Sequence, residues 1–297
     1  MKKLLFIYNL HAGKGTLRGR LAPILDALTA EWDVTVHPTR GPGDATVVAR
    51  DRAEEFDRIV CSGGDGTLHE VVSGLMALPQ EKRPVVGYIP AGSTNDFAKN
   101  LDLPHTLEAL AEVAAAGVPR PVDVGRFNDA DFLYVAAFGA FTDLAYTTPQ
   151  QAKNLLGHLA YVLPSVTRLG TIQPYSMTLE YDGGTLTDSF CLGLVSNTLS
   201  VAGIKGTPIQ PVSLDDGLFE VVLVRQPQNA AQLQSIIRAL MQMKPEPGGA
   251  VVAFRSSRVR VTCADELPWT LDGEYGGAPR VAEIENLSRA VSIVHGR

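Results

Sequence analysis

Along the first third of the chain, two hydrophobic rhythms take turns. Short apolar runs at Lys3–Asn9, Asp33–His37, Asp57–Cys61 and Val85–Ile89 have the length and continuity of buried strands. Between them, apolar residues recur at helical spacing. Leu21, Ile24, Leu25 and Leu28 mark Leu17–Glu31, and further helices are predicted over Asp44–Glu54 (with Asp44 as its cap) and Thr67–Leu78. Helical stretches follow near Asn95–Leu101 and Thr106–Ala116. Strands alternating with helices predict a parallel sheet covered on both faces.

Gly117-Val118-Pro119-Arg120-Pro121 ends that rhythm, and the period changes to that of strands. Val122–Phe127, Phe132–Phe138, Ser176–Asp182, Thr185–Val195, Leu218–Val224, Val251–Phe254, Val259–Cys263 and Leu267–Leu271 read as strands, with Asp182-Gly183-Gly184 as a hairpin turn. Helical insertions are expected near Pro149–Leu169 and Ala230–Met243. The fold class is therefore α/β plus all-β: a doubly wound, Rossmann-like parallel sheet over residues 1–120, then an antiparallel β-sandwich with helical insertions over 121–284. The last segment, with Val281–Ile284 and Val291–Val294 as strands, can end either domain, and residues 285–297 can complete the first.

Composition narrows the function. The chain has 297 residues, 45% of them hydrophobic, and a net charge of −6, which gives no sign of nucleic-acid binding by phosphate neutralisation. Its three cysteines, Cys61, Cys191 and Cys263, fit neither a disulfide framework nor a zinc spacing. Buried thiols in a reducing, cytoplasmic setting account for them. The apolar start, Leu4–Tyr8, is too short for a signal segment, and no run reaches membrane-spanning length. The six histidines are dispersed and suggest no metal cluster.

Three strand ends carry unusual loops. Ser62-Gly63-Gly64-Asp65-Gly66-Thr67 concentrates glycine between a buried strand and a helix, where a phosphate meets the first helical amides. Asp65 would repel that phosphate unless a cation lay between them, so it reads as part of a magnesium–nucleotide site, against the alternative of a turn aspartate. Thr67 and Glu70 fit a capping box. Pro90–Ala98 offers a turn, hydroxyls, an amide and a carboxylate, and Ser93 with Asp96 again fits a cap. Asn9–Gly15 lacks the first glycine of a true P-loop, since Tyr8 stands there. The three loops are expected to converge on one crevice. Later, Asp272-Gly273-Glu274 is either a tight turn or a general-base site. Ser213–Leu218 is a hairpin turn or a small cation site.

Taken together these motifs resemble the diacylglycerol kinase catalytic family, in particular its soluble bacterial lipid kinases, over nearly the whole chain. The Gly-Gly-Asp-Gly-Thr core is shared with sphingosine and NAD kinases. The Pro90–Phe97 pattern and the pairing of Asp216-Gly217-Leu218 with Asp272-Gly273-Glu274 are more specific to lipid kinases. The resemblance implies ATP and Mg²⁺ as cofactors. It assigns Asn9 and Gly13 to a first nucleotide loop, Thr39 to the second strand end, Gly63, Gly64, Asp65, Gly66, Thr67 and Glu70 to the phosphate and magnesium loop, and Ser93, Asn95 and Asp96 to a third loop. Ser213, Asp216 and the carbonyl of Leu218 fall on a structural magnesium site, and Asp272 or Glu274 on the proton acceptor, with Asp65 beside the reacting phosphate. Departures occur at Leu10 and Ala12, where the family has proline and serine, and at His69 and Ser93.

The activity so implied is transfer of the ATP γ-phosphoryl group to a lipid hydroxyl, that of diacylglycerol first, in phospholipid synthesis. Sphingosine-like lipids, undecaprenol, phosphatidylglycerol, an NAD kinase-like reaction or a non-catalytic nucleotide binder are the alternatives. A lipid acceptor implies transient contact with the inner membrane face, with Phe141–Leu169 and Leu199–Ile209 as the apolar candidates and core packing as the competing reading. A homodimer is left open.

Overall fold

The computed structural model describes residues 2–13, 16–93, 95–139, 173–198, 200–201, 204–205, 213–242 and 248–296. The expected insertion at Pro149–Leu169, the membrane candidate Phe141–Leu169 and most of Leu199–Ile209 lie outside them. The chain divides into two units: Met1–Asp123 with Arg289–Arg297, and Val124–Ser288.

In the first unit, β1 (Lys2–Tyr8), β2 (Trp32–Pro38), β3 (Arg58–Gly63) and β4 (Val85–Pro90) run parallel in the order β4-β3-β1-β2. Their apolar continuity follows from burial on both faces. Leu4, Phe6, Val60 and Ile89 share a core with Ile24 and Leu28 of α1 (Leu21–Thr29) and with Ala111 and Ala114 of α4 (Leu107–Ala116). The alternate residues Leu5, Ile7, Ile59 and Cys61 are also buried. Here α2 (Asp44–Arg52) and α3 (Asp65–Met76) pack on each other, close enough that a Cβ at Gly74 would lie 2.4 Å from the Thr46 carbonyl oxygen. Arg58 is buried and donates to the carbonyls of Ala114 and Ala115, satisfying the end of α4.

Several local expectations need correction. The helix expected over Leu17–Glu31 is a 3₁₀ turn, Thr16–Arg20, followed by α1. Asp44 is not the cap of α2: Gly43, at φ +81°, holds that position. The Asp44 carboxylate turns away to His37 (2.8 Å) and to the Arg40 amide, and the His37 bond holds it below the usual carboxylate range. Thr67 does not cap α3, which begins two residues earlier with Gly64 as its cap and no side-chain cap bond. The stretch near Asn95–Leu101 is a 3₁₀ turn, Phe97–Asn100, and neither Ser93 nor Asp96 makes a cap bond to it.

The second unit begins within β5 (Pro119–Phe127) and continues through β6 (Ala130–Phe132), β7 (Val135–Gly139), β8 (Tyr175–Tyr181) and β9 (Gly184–Ser196). After the short pair β10 (Ser200–Val201) and β11 (Ile204–Lys205) come β12 (Phe219–Arg225), α5 (Ala230–Gln242), β13 (Val251–Ser256), β14 (Arg258–Cys263), β15 (Trp269–Leu271), β16 (Glu274–Tyr275) and β17 (Val281–Val294). The strand pairings of this unit are antiparallel. The first half of β9 pairs with β8, and its second half lies between β7 and β12. The core gathers Phe127, Phe132, Phe138, Phe190, Phe219 and Trp269, with Phe138 and Trp269 meeting edge to face at 4.9 Å.

The two strands expected near the C-terminus are one. β17 pairs with β14 through Val281–Glu285, and its end lies parallel to β4 with Ile293 opposite Val86. Arg289, at φ +53°, is the break point, and its amide is held 2.7 Å from a carboxylate oxygen of buried Asp123.

Candidate active site

The carboxyl ends of β1, β3 and β4 bring their three loops into contact within the first unit. Gly64 and Gly92 meet backbone to backbone: a Cβ on Gly92 would lie 2.6 Å from the Gly64 Cα. That approach explains why neither position carries a side chain. Gly13, at φ +58°, sits against the same third loop, with the Ala91 carbonyl oxygen 2.6 Å from where its Cβ would be. The Ala91 amide donates to the Gly63 carbonyl at 2.7 Å, and the Asn9 amide to the Ser62 carbonyl at 2.9 Å. The Asn9 side chain accepts from the His11 amide and donates to Thr67 Oγ1 at 3.5 Å. Thr39 enters at the end of β2 through its amide, bonded to the Tyr8 carbonyl.

Asp65 is the link between loops. Its Oδ2 accepts from the Asp96 amide at 3.0 Å, and its Oδ1 from the Phe97 amide at 3.1 Å. The acid at the head of α3 therefore fixes the third loop. Asn95, at φ +50°, closes that loop by bonding both ways with the Gly92 backbone, while buried Asp96 pairs with Lys99 at 2.5 Å. Ser93 is exposed on the same turn. Gly66 and Thr67 lie in the first turn of α3, where a helix favours an anion. Glu70 points elsewhere: its carboxylate accepts from the Gly43 amide (2.9 Å) and the Ala45 amide (3.2 Å), so it caps α2 rather than its own helix. His69 lies near Ser73 Oγ, at 3.4 Å.

The second unit holds the late acids. Asp272 and Gly273 both have positive φ, +51° and +87°, and make the two-residue turn between β15 and β16. The Asp272 carboxylate accepts three amides in a row, from Leu133 at 2.7 Å and from Tyr134 and Val135 at 3.0 Å each. Glu274, one residue past the turn, is exposed, and its carboxylate makes no hydrogen bond or ion pair among the described residues. One motif thus contains a fully engaged carboxylate and an available one.

The Ser213–Leu218 turn is crowded with partners. Ser213 Oγ donates to Asp215 at 2.6 Å. Asp216 accepts the Leu218 amide on Oδ1 (3.1 Å) and the Arg255 guanidinium on Oδ2. Arg255 also donates from Nε to Glu220 at 3.1 Å. Burial pushes the Glu220 carboxyl up to about 7, although Arg255 pulls the other way. Glu220 and Arg255 were absent from the sequence-derived site. The only signal was a glutamate inside an apolar strand pattern. An open cavity of about 520 Å³ in the second unit, lined in part by Arg126, Tyr181, Arg260 and Glu283, contains none of the predicted residues. Its charges largely pair with each other, as Arg260 does with Glu180 and Glu283.

Among the described residues, no group of three or more His, Cys, Asp or Glu could hold a metal ion by itself, and no helix is long and apolar enough to cross a membrane. Residues 3–127 match the family model of the diacylglycerol kinase catalytic domain, and residues 141–295 that of the YegS C-terminal NAD kinase beta sandwich-like domain. A diacylglycerol kinase of Bacillus subtilis strain 168 is 36% identical, covering 99% of this chain and 96% of its own. That of Staphylococcus carnosus strain TM300 is 32% identical over 93% and 90%. A diacylglycerol kinase structure from Bacillus anthracis strain Sterne superposes with a TM-score of 0.76 at 25% identity, covering 99% of this chain and 97% of that one.

Proposed function

Because this chain belongs to the diacylglycerol kinase family, with an α/β unit followed by a β-sandwich, we propose that it transfers the γ-phosphoryl group of ATP to the hydroxyl of diacylglycerol, giving phosphatidic acid. The observation that carries this reading is the two-amide clamp of Asp65 on the third loop. It binds the glycine loop and the Pro90–Phe97 loop into a single cradle, with the head of α3 at its centre. Phosphoryl transfer needs positioning and charge neutralisation more than covalent chemistry. A rigid cradle of backbone amides supplies the first.

Asn9, Gly13, Thr39, Ser93 and Asn95 border the nucleotide in this reading, and Gly63, Gly64, Gly66 and Thr67 face its phosphates. Asp65 would hold Mg²⁺ that arrives with the nucleotide, and the ion would neutralise phosphate charge; Asp96, already paired with Lys99, borders the nucleotide from the third loop. A carboxylate offers about four acceptor positions, so the two amide bonds of Asp65 leave room for a hydrated ion. Glu70 supports the cradle indirectly, through the start of α2.

The two late acids take separate roles. Three amides occupy the Asp272 carboxylate and block its access to a substrate proton. Glu274 has the exposure that a proton acceptor needs, so we assign it the lipid hydroxyl proton and give Asp272 the task of holding the turn. The acceptor lipid lies in a bilayer, and the enzyme would meet it by transient contact at the membrane surface.

The test is incubation with γ-labelled ATP, Mg²⁺ and separate vesicles of diacylglycerol, sphingosine, undecaprenol and phosphatidylglycerol, with NAD as a soluble acceptor. Label in phosphatidic acid is expected. Label in NADP alone, or in none of the products, would overturn the reading.

A further inference from the structure

The family resemblance places a structural magnesium ion at Ser213, Asp216 and the Leu218 carbonyl, and the residues present do not fit it. Asp216 accepts the Leu218 amide on one oxygen and carries on the other not a second amide but a cationic guanidinium, that of Arg255. The Ser213 hydroxyl is turned to Asp215 at 2.6 Å. A magnesium ion needs near-octahedral oxygen coordination. Here its main carboxylate carries a guanidinium, which keeps its positive charge at every relevant pH.

We propose that Arg255 is the resident cation of the Ser213–Leu218 turn and excludes a divalent ion from Asp216, so that the second unit folds without structural magnesium. The register of the sheet holds Arg255 in place. Arg255 on β13 lies directly opposite Glu220 on β12, and its Nε reaches the Glu220 carboxylate at 3.1 Å. Glu220 is 0% exposed, and its second oxygen has no hydrogen-bond partner among the described residues. The one guanidinium forks between a surface acid and a buried one. To admit a divalent ion at Asp216, Arg255 would have to withdraw toward solvent and leave Glu220 buried without this cation. Leaving a buried carboxylate without its partner cation is strongly unfavourable. The buried glutamate therefore anchors the arginine, and the arginine occupies the turn. Gly217, at φ +75°, gives the turn its shape from backbone alone.

This inference does not depend on the phosphoryl-transfer reading, and its test needs no activity. The nucleotide-free full chain is titrated with Mg²⁺ against ionic-strength-matched NaCl, followed by melting temperature and by calorimetry. Wild type is expected to show no saturable response beyond the salt control. The paired variant Arg255→Met with Glu220→Leu removes the buried acid and its half-buried cation together, a change that sites of this kind tolerate. It should gain Mg²⁺ binding at least about tenfold tighter than wild type, since like charges side by side are costly. Adding Asp216→Asn should abolish the gain. A saturable Mg²⁺-dependent rise in wild type that is lost in Asp216→Asn overturns the proposal, as does a folded paired variant that gains no binding. The wild-type arm decides even if the paired variant does not fold.

Discussion

Asp272 and Glu274 stand two positions apart and have opposite chemical circumstances. The first gives its carboxylate to three consecutive amides, and the second has its carboxylate in solvent. Replacing each should therefore fail in a different way. Glu274→Gln is expected to fold with an unchanged melting temperature and to lose about 10²–10⁴-fold in kcat, with KM for ATP preserved. Asp272→Asn should lower the melting temperature, because an amide group cannot accept all three bonds as a carboxylate does. Equal turnover in Glu274→Gln and wild type would remove Glu274 from the chemistry. Glu220 makes a second prediction. Its folded carboxyl is pushed up to about 7 by burial, above the ordinary glutamate value. Its contribution to stability is complete at pH below that ordinary value and is lost as pH rises through about 7. Glu220→Gln should flatten this dependence. Melting curves from pH 5 to 8 would show wild type falling relative to the variant, and parallel curves would contradict the assignment.

The glycine-rich loops make sense only as pairs of elements. The side chain of Glu70, a residue inside α3, caps α2, because the two helices pack on each other and the Gly43 and Ala45 amides lie within reach. Local spacing from Thr67 to Glu70 matched a capping box, but the glycine at position 64 lets the helix start earlier and carries Thr67 into its first turn. Glu70→Ala is expected to cost about 1 kcal/mol of stability, the usual value of a lost cap, measured by denaturant titration. It should also raise KM for ATP if α2 helps to hold the loop at Thr39. The same logic corrects Asp44. A good cap residue lost its place to a left-handed glycine and found His37 instead.

Chain connectivity makes the first unit discontinuous. Its sheet ends with Ile293 beside Val86, and Val291, Ile293 and Val294 are all buried. Removing residues 289–297 would expose the edge of β4 and lose three aliphatic side chains from the core. At about 1.5–3 kcal/mol each, that loss rivals the net stability of an ordinary domain. Residues 1–288 should therefore aggregate or melt far below the full chain. A soluble truncated form with a cooperative melt at the full-length temperature would show that β17 contributes little to this unit.

The alternation of apolar runs with helical spacing, the change of rhythm at Gly117–Pro121 and the glycine loops after β1, β3 and β4 were all legible in the linear chain. They depend on local backbone preference and on which side chains avoid water, and both are written at short range. The partners of individual charges were not. That Asp65 clamps the Asp96 and Phe97 amides, that Asp272 is used up while Glu274 is not, and that Arg255 sits across from Glu220 all follow from strand register and loop packing. Such pairings join residues far apart in the chain, and one position of slip in register would exchange every partner. Residue type shows that an acid is present, but only the packed neighbours decide whether it binds an amide, a cation or a substrate proton.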